Sequence, residues 1–569
     1  MKPIALALLA LAGLAAAPLP AQETRAVRST AETPPAGVLP RVPLTPKLLQ
    51  QFLLAEIAAQ RGEASQGAEI FRALAQETRD PRLARRAAEL ALSARRLELA
   101  SEAARLWLEL DPESRQARQM LVSLYAAQGR IADLKAEVAR LLAAEPEFLK
   151  QNLLHLNRIF ARAQDRQAVR GLIEAVTAPY LDHPEAHFAR AQAALDARDT
   201  PAARAAIRRA RELKPDWELA VLFEAQLLDD RDAALALFAD FLASYPKARE
   251  VRLTYARVLV NEKRYAEARR QFSALLEGVD PAEHGDVVFA VAILSLQLGD
   301  SQEAERQLRK LVEIGHAEAD KARYYLGQLA EEAKRWDEAL KWFGEVGRGE
   351  HYLPARLHAA NVLAKQGKLE AARQLLATSE AGSPQERAQL VIGEAQLLRE
   401  AGRFAEAHAV LALALERQPD QPELLYEIAL IAEKLGRLDE LETRLKRLIA
   451  LKPDHAHAHN ALGYSLADRN VRLEEARALI ERALELAPDD PFILDSKGWV
   501  LFRQGDKVGA LEYLNKALSL RSDPEIAAHL GEVLWSLDRR DEARATWEKA
   551  RREHPNNEVL NATIKRFLP

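Results

Sequence analysis

The chain has 569 residues, no cysteine, and 80 Lys and Arg residues against 84 Asp and Glu residues. This near balance of charge disfavours nucleic acid or an anionic lipid surface as a partner. The missing cysteine excludes a disulfide framework, a cysteine-ligated metal and a thiol nucleophile. Strong helix formers dominate the sequence and alternating β-branched runs are scarce, so the composition predicts an all-α fold.

Residues 1–21 are typical of a secretory signal peptide. A short basic start precedes an apolar run from Ile4 to Ala17, and prolines interrupt the chain before Gln22. The run is shorter than the roughly 20 apolar residues of a transmembrane helix. We therefore predict cleavage after Ala21 and an exported, periplasmic mature chain without a transmembrane span.

Residues 22–46 form a segment rich in proline, serine and threonine, without a helical period. Such a composition cannot bury enough apolar surface to order itself alone. We predict a flexible, proline-rich arm.

Proline marks a repeat in the rest of the chain. In the C-terminal part it recurs at intervals of 34, 35 and 36 residues, at Pro419, Pro453, Pro488 and Pro524. We predict that each of these prolines lies just past one helix and opens the next. A period near 34 with two helices in each unit predicts a helical solenoid over residues 47–554, with roughly 12–15 repeats.

Each predicted repeat has two helices with one apolar face each. In the last full repeat the buried positions are predicted to be Ala527, Leu530, Leu534 and Leu537 in the first helix and Ala543, Trp547 and Ala550 in the second. Glycine holds the same place in three successive repeats, at Gly463, Gly498 and Gly531, which predicts close packing of the two helices.

Residues 555–569 are predicted to form a capping helix. Leu560, Ile564 and Phe567 follow a spacing of four and three residues, which places them on one face. Such a helix would cover the open end of the stack, as a solenoid requires.

These positions resemble the tetratricopeptide repeat (TPR) pattern, which has Leu-Gly in the first helix, then Ala, a large apolar residue, Ala and Pro. The matching residues are Leu462, Gly463, Ala476, Ile480, Ala483 and Pro488, then Gly498, Gly505, Ala510, Leu514 and Ala517, then Leu530, Gly531, Ala543, Trp547, Ala550 and Pro555, and earlier Leu326, Gly327, Trp336, Ala339 and Phe343. The resemblance implies a superhelical solenoid that binds proteins.

Nearly the whole mature chain is also similar to envelope TPR proteins of Gram-negative bacteria. The similarity lies in the stretches 53–58, 78–81, 103–112, 461–468 and 498–501. The best-understood proteins of this type are outer-membrane lipoproteins that bind a periplasmic carboxyl-terminal processing protease. The resemblance implies an adaptor that brings the protease its substrates, cell-wall hydrolases among them. A lipoprotein needs a cysteine after its signal peptide, and this chain has none, so outer-membrane association would depend on a partner.

Motifs of known catalytic sites are missing from the sequence, which predicts a protein that is not an enzyme and holds no cofactor. The nearest approach to a metal site is the run from Asp454 to His459. In a helix, His455 and His459 would share a face and could bind zinc or copper with Asp454. The favoured interpretation is a helix start whose histidines face solvent or pack between helices, so we predict no metal site.

Repeat position predicts a protein-binding groove on the first helices of the last three repeats. Aromatic and arginine side chains carry much of the binding energy at protein interfaces, and four aromatics gather here. Each aromatic fits core packing between helices equally well when taken singly. The predicted groove residues are Asn460, Tyr464, Asp495, Trp499, Phe502, Arg503, His529, Glu532 and Trp535.

Two functions fit the sequence. The favoured hypothesis is a non-enzymatic periplasmic adaptor or scaffold that binds other proteins, a periplasmic protease and its substrates among the candidate partners. The alternative is a structural TPR component of an envelope assembly, such as polysaccharide export or secretion machinery.

Overall fold

The structure, a computed structural model, describes residues 40–144, 146–161 and 163–568. The predicted signal peptide and residues 22–39 of the predicted arm lie outside this part of the chain. Within it, every regular element is a helix, which confirms the all-α prediction. None of these helices combines the length and the apolar character that a membrane crossing needs.

The chain divides into two compact units, one ending at Ala304 and the other beginning at Glu305. The helices that begin in the first unit are α1 (Pro46–Gln60), α2 (Ala64–Thr78), α3 (Pro81–Ser93), α4 (Leu97–Leu110), α5 (Arg115–Ala127), α6 (Ile131–Ala144), α7 (Leu149–Ile159), α8 (Arg166–Thr177), α9 (Pro184–Asp196), α10 (Thr200–Leu213), α11 (Glu218–Gln226), α12 (Arg231–Ser244), α13 (Arg249–Asn261), α14 (Tyr265–Leu275), α15 (Gly285–Gln297) and α16 (Ser301–Glu313). Short 3-10 helices span Pro146–Phe148, Ala178–Tyr180 and Pro281–His284.

The second unit continues the same succession of helices. They are α17 (Ala319–Glu332), α18 (Trp336–Gly344), α19 (Tyr352–Lys365), α20 (Leu369–Thr378), α21 (Pro384–Glu400), α22 (Phe404–Arg417), α23 (Pro422–Lys434), α24 (Leu438–Leu451), α25 (Ala456–Asp468), α26 (Leu473–Leu486), α27 (Pro491–Arg503), α28 (Lys507–Leu520), α29 (Pro524–Ser536), α30 (Arg540–Glu553) and α31 (Glu558–Phe567). From α17 to α30 they form helix-turn-helix pairs, and first helices of neighbouring pairs contact one another at α17–α19, α19–α21, α21–α23, α25–α27 and α27–α29.

The helix starts correct one detail of the proline pattern. Pro524 opens α29 as predicted, but Pro419, Pro453 and Pro488 lie in the turns, three residues before α23, α25 and α27 begin. The residue before each of these turn prolines has left the helical conformation, which proline disfavours in its predecessor, and the previous helix ends there. The helix starts themselves are made by capping side chains. Asp490 accepts hydrogen bonds from the amides of Phe492 and Ile493.

The recurring glycines allow the two helices of a pair to pack closely. A Cβ atom on Gly463 would lie 2.7 Å from Cγ1 of Ile480, and one on Gly498 would lie 2.6 Å from Cγ of Leu514. At Gly531 a Cβ would enter the indole of Trp547, which is fully buried. These contacts confirm the packing reason that the repeat pattern predicted.

The last helix, α31, packs on the final pair. Asn557 caps its start by accepting a hydrogen bond from the amide of Leu560 at 2.8 Å. Leu560 and Ile564 are buried, and the Phe567 ring stacks on Trp547 with centroids 5.6 Å apart. The three side chains that the sequence placed on one face therefore all contact or enter the core of the preceding pair.

Ion pairs connect the second helices of neighbouring pairs in the second unit. Nη2 of Arg335 lies 2.8 Å from Oε2 of Glu305, and Nη1 of Arg403 lies 2.5 Å from Oε1 of Glu370. Nη1 of Arg472 donates to Oε1 of Glu442 at 2.9 Å. All six side chains are partly or largely exposed to solvent. We call these three pairs, Glu305–Arg335, Glu370–Arg403 and Glu442–Arg472, the ion-pair ladder.

Candidate functional site

The first helices of the last three pairs, α25, α27 and α29, form a concave surface. The evidence is a contact that passes over the middle helix: Tyr464 of α25 reaches His529 of α29, with ring centroids 6.0 Å apart. Side chains two helices apart meet only when the helices curve toward each other. This surface is where the sequence placed the protein-binding groove.

A buried ion pair lies at the centre of the surface. Nδ1 of His529 donates to the carboxylate of Asp495, at 2.9 Å from Oδ1 and 3.0 Å from Oδ2. Burial disfavours the charged imidazole, but the charge and hydrogen bond of Asp495 outweigh it and raise the pKa of His529. The histidine is thereby favoured in its cationic form.

Trp499 packs on this histidine. The two rings are stacked with centroids 4.2 Å apart and an angle of 22° between their planes, and the Arg503 guanidinium lies 5.7 Å from the Trp499 ring. A cation held over an indole face is stabilised by the quadrupole of the ring. Trp499 is only 4% exposed, and its Nε1 atom has no hydrogen-bond partner among the described residues. We call the set Tyr464, Asp495, Trp499 and His529 the Trp499 cluster.

Three carboxylates surround the Trp499 cluster. Burial raises the pKa of the Tyr464 hydroxyl, and the negative charges of Asp468 and Glu525 raise it further. Burial also raises the pKa of the Glu433 carboxyl, as do the charges of Asp468 and Glu525. Within the described part of the chain no ion pair joins Glu433, Asp468 or Glu525 to a basic side chain.

Two arginines share the surface with these acids. Arg503 donates to the main-chain oxygen of Asp468 at 2.9 Å, and Arg469 donates to that of Ser465 at 2.9 Å. Each also has one buried nitrogen without a partner among the described residues. The surface therefore offers hydrogen-bond donors and carboxylates side by side, around an aromatic centre.

The nine predicted groove residues fall into two groups. Asn460, Phe502 and Arg503 lie on the same three helices as the Trp499 cluster, half-buried. Glu532 and Trp535 are engaged elsewhere: Glu532 pairs with Arg566 of α31, and Trp535 stacks on Trp547. The contacts of Trp535 are those of core packing between helices.

Sequence reasoning missed the three surrounding carboxylates. Asp468 and Glu433 lie at or next to the end of a first helix, and Glu525 lies in the first turn of α29. The signal for Asp468 was its position four residues after Tyr464, which places both on one helix face. Glu433 and Glu525 come from other repeats, and their proximity to Tyr464 depends on the curvature of the surface.

The histidine run does not gather around one point. Nδ1 of His455 accepts from the amide of Ala458 at 3.1 Å and caps α25, while Nε2 of His459 lies 3.1 Å from the Pro453 oxygen. Over the described ranges, no group of three or more His, Asp or Glu residues is arranged to hold a metal ion.

Comparison with known proteins identifies the repeat. Two family models of the tetratricopeptide repeat match the chain, one at residues 228–284 and 398–463 and the other at residues 158–216, 290–349 and 442–491. The chain contains tetratricopeptide repeats. The TPR resemblance seen in the sequence is thus confirmed.

Curated relatives share parts of the TPR chain. The TPR repeat-containing protein PA4667 of Pseudomonas aeruginosa is 40% identical over 248 residues, which cover 44% of this chain and 42% of that protein. The human protein O-mannosyl-transferase TMTC1 is 23% identical over 174 residues, covering 29% of this chain and 19% of that protein. The chain therefore spans less than half the length of these relatives.

Solved structures with helical repeats are similar in part. A thermophilic TPR protein of Thermus thermophilus has 27% identity and a TM-score of 0.30, with 32% of this chain and all of that chain covered. The Cut9–Hcn1 hetero-tetramer of the APC/C has 15% identity and a TM-score of 0.34, with 92% of this chain and 99% of that chain covered. TPR repeats imply a scaffold for protein–protein interaction.

Proposed function

We propose that this TPR protein is a non-enzymatic periplasmic adaptor, which binds a segment of a partner protein on the concave surface of α25, α27 and α29. The observation that carries the proposal is the Trp499 cluster with its surrounding carboxylates. Aromatic anchors flanked by polar groups are the composition of interface hot spots. The finer assignment, delivery of substrates such as cell-wall hydrolases to a carboxyl-terminal processing protease, is supported by the similarity to envelope TPR proteins.

The surface fits an extended or helical peptide better than a small molecule. The polar groups around the cluster come from four first helices, α23, α25, α27 and α29, so a chain-like ligand can contact more of them than a small molecule can. Carboxylates and arginine side chains both lie around the rings, and main-chain and side-chain groups of a peptide can pair with them.

Pull-down from an envelope extract tests the proposal. The rim variant reverses two charges at the edge of the concave surface, with the substitutions Asp468→Lys and Glu525→Lys. We expect it to lose at least one partner that the wild type retains, because both side chains are exposed on the concave surface. The matched control is Glu512→Lys with Glu548→Lys, which reverses two exposed charges on the second helices α28 and α30.

The outcomes separate the hypotheses. The same partners for the rim variant and the wild type would remove the binding function from this surface. A wild type that captures no partner would refute the adaptor. Capture of an export synthase or porin without a protease would favour the structural role in an envelope assembly.

A further inference from the structure

The first helix, α1, exposes a stripe of large apolar side chains. Leu53 is 49% exposed, Leu54 is 50% exposed and Ile57 is 44% exposed. Across the described residues, exposed large apolar side chains concentrate here, at Val42, Leu44, Leu49, Phe52, Leu53, Leu54 and Ile57. A contiguous exposed apolar patch marks an interaction surface more often than a solvated one.

The repeat shows what this stripe is built to contact. The turn after most first helices is closed by a hydrogen bond from an amide to the oxygen five residues earlier, such as Glu63 to Ala58 after α1. Leu54 and Ile57 lie nine and six residues before that amide. Counting back from the same bond in four later repeats gives the pairs Ala87 and Leu90, Leu121 and Leu124, Ile428 and Ile431, and Leu530 and Val533.

All of these equivalent side chains are buried. Leu54 and Ile57 therefore occupy positions that these four repeats cover with neighbouring helices, whereas the described residues leave both side chains about half exposed on α1. A terminal repeat needs a polar outer face for solubility, and this stripe has none. The surface is made to pack against another helix of the same kind.

We propose that α1 is the contact of a homodimer, in which the stripe packs against the α1 stripe of a second copy. The shallow surface over the stripe is lined by Pro46, Leu49, Gln50, Leu53, Leu54 and Ile57, none of which is charged. Two-fold pairing places each patch against its own copy, so a charge-free patch meets no like charge. Glu56, the acidic residue of α1, is already paired with Arg86 at 3.1 Å.

The lack of cysteine makes the contact directly testable. Leu53 lies in the middle of α1, so in a two-fold pairing of antiparallel helices it faces its own copy. The Leu53→Cys variant of the mature protein is expected to form a disulfide-linked dimer on mild oxidation. Leu413→Cys is the control, because Leu413 is an exposed leucine on α22, at 54%. Equal cross-linking at both positions, or none at residue 53, would overturn the proposal.

Molar mass in solution gives a second readout. Light scattering coupled to size exclusion should give twice the chain mass for the wild type and for Leu413→Glu, and the single chain mass for Leu53→Glu with Ile57→Glu. A monomeric wild type at every concentration would refute the dimer. If the wild type were a monomer and deletion of the residues between the predicted signal peptide and Pro40 produced dimers, the chain's own arm would be the segment that covers the stripe. If the wild type were a monomer and the Leu53→Glu/Ile57→Glu variant lost an envelope protein that the wild type binds, the stripe would be the binding surface for that protein.

Discussion

At the scale of single residues, the repeat glycines decide how closely the two helices of a pair can approach. The side chain opposite Gly531 is Trp547, which is fully buried and donates from Nε1 to the Ala528 oxygen at 3.3 Å. No other residue type leaves room for that indole, so the glycine and the tryptophan act as one packing unit.

Gly531→Ala should therefore destabilise the protein, although alanine is the better helix former. Overpacking a filled core costs about 1–3 kcal/mol, which exceeds the roughly 1 kcal/mol that alanine gains over glycine in a helix. Thermal and urea unfolding measure the change. Gly171→Ala in α8 is the control: no neighbouring atom lies within 4 Å of its added Cβ, and it should be neutral or stabilising. A stabilised Gly531→Ala variant would contradict the packing role.

The His529–Asp495 pair, also at the scale of single residues, makes a pH-dependent contribution to the free energy of unfolding. The folded protein raises the pKa of His529 above its ordinary value of 6.5, because the effect of Asp495 exceeds that of burial. The stabilisation of the folded state by this pair is therefore complete below about pH 6.5, and it is lost as the pH rises through the raised pKa of His529.

Melting temperatures between pH 5.5 and 9 test this direction. Wild type should lose stability relative to Asp495→Asn as the pH rises, since the variant lacks the charge that favours the cationic ring. His457→Gln, which removes an exposed histidine of α25, should keep the wild-type slope. An unchanged slope in Asp495→Asn would show that the pair does not titrate in this range.

At the scale of helices, α31 takes the place of the next pair. Leu560, Ile564 and Phe567 cover the side of α29 and α30 that a further repeat would otherwise cover, and Arg566 pairs with Glu532. The helix is short, so its contribution to stability comes mainly from the apolar surface that it removes from water.

Deleting Asn556–Pro569 should lower the melting temperature and increase aggregation, because Trp547 and Trp535 lose the ring of Phe567. Differential scanning calorimetry and light scattering measure both effects. Val559→Ala changes an exposed residue of the same helix and should leave them unaltered. An unchanged melting temperature after the deletion would show that α31 is not a cap.

The sequence predicted helices better than it predicted the site. Periodicity, proline spacing and glycine identify the pairs because the contacts inside a pair join residues about 16–20 positions apart in a fixed pattern, such as Gly531 with Trp547. The Asp495–His529 pair and the approach of Glu433 to Tyr464 join different repeats. Their geometry depends on how each pair is rotated relative to the next, and the spacing of residues in one chain does not contain that angle.

The same reasoning explains why Trp535 was placed in the groove. Its repeat position is that of Phe502, which lies on the concave surface, but the aromatic ring of Trp535 packs on Trp547 and Phe567 instead. At the end of a stack the next first helix is absent and α31 replaces it. Repeat position alone therefore does not distinguish a groove residue from a core residue at the end of the stack.

At the scale of the whole molecule, each unit is held together by contacts between neighbouring pairs, without disulfides. Stability is then close to a sum over pairs and their interfaces. The proposed partner surface of α25, α27 and α29 and the stripe of α1 belong to different units and differ in chemistry, one mixing aromatic and charged groups and the other apolar and uncharged. The proposed partner binding and the proposed self-association can therefore be tested separately.

The ion-pair ladder gives the second unit an uneven response to its solvent. Dissolved salt screens exposed charges over about 8–10 Å, whereas buried contacts between first helices, the Asp495–His529 pair included, are screened much less. Each surface pair is worth at most about 1 kcal/mol. The three pairs lie at alternate joints between second helices, from α16 to α18, from α20 to α22 and from α24 to α26. Raising the ionic strength is therefore expected to weaken these three joints, while the joints between α25, α27 and α29, which no ladder pair spans, change less.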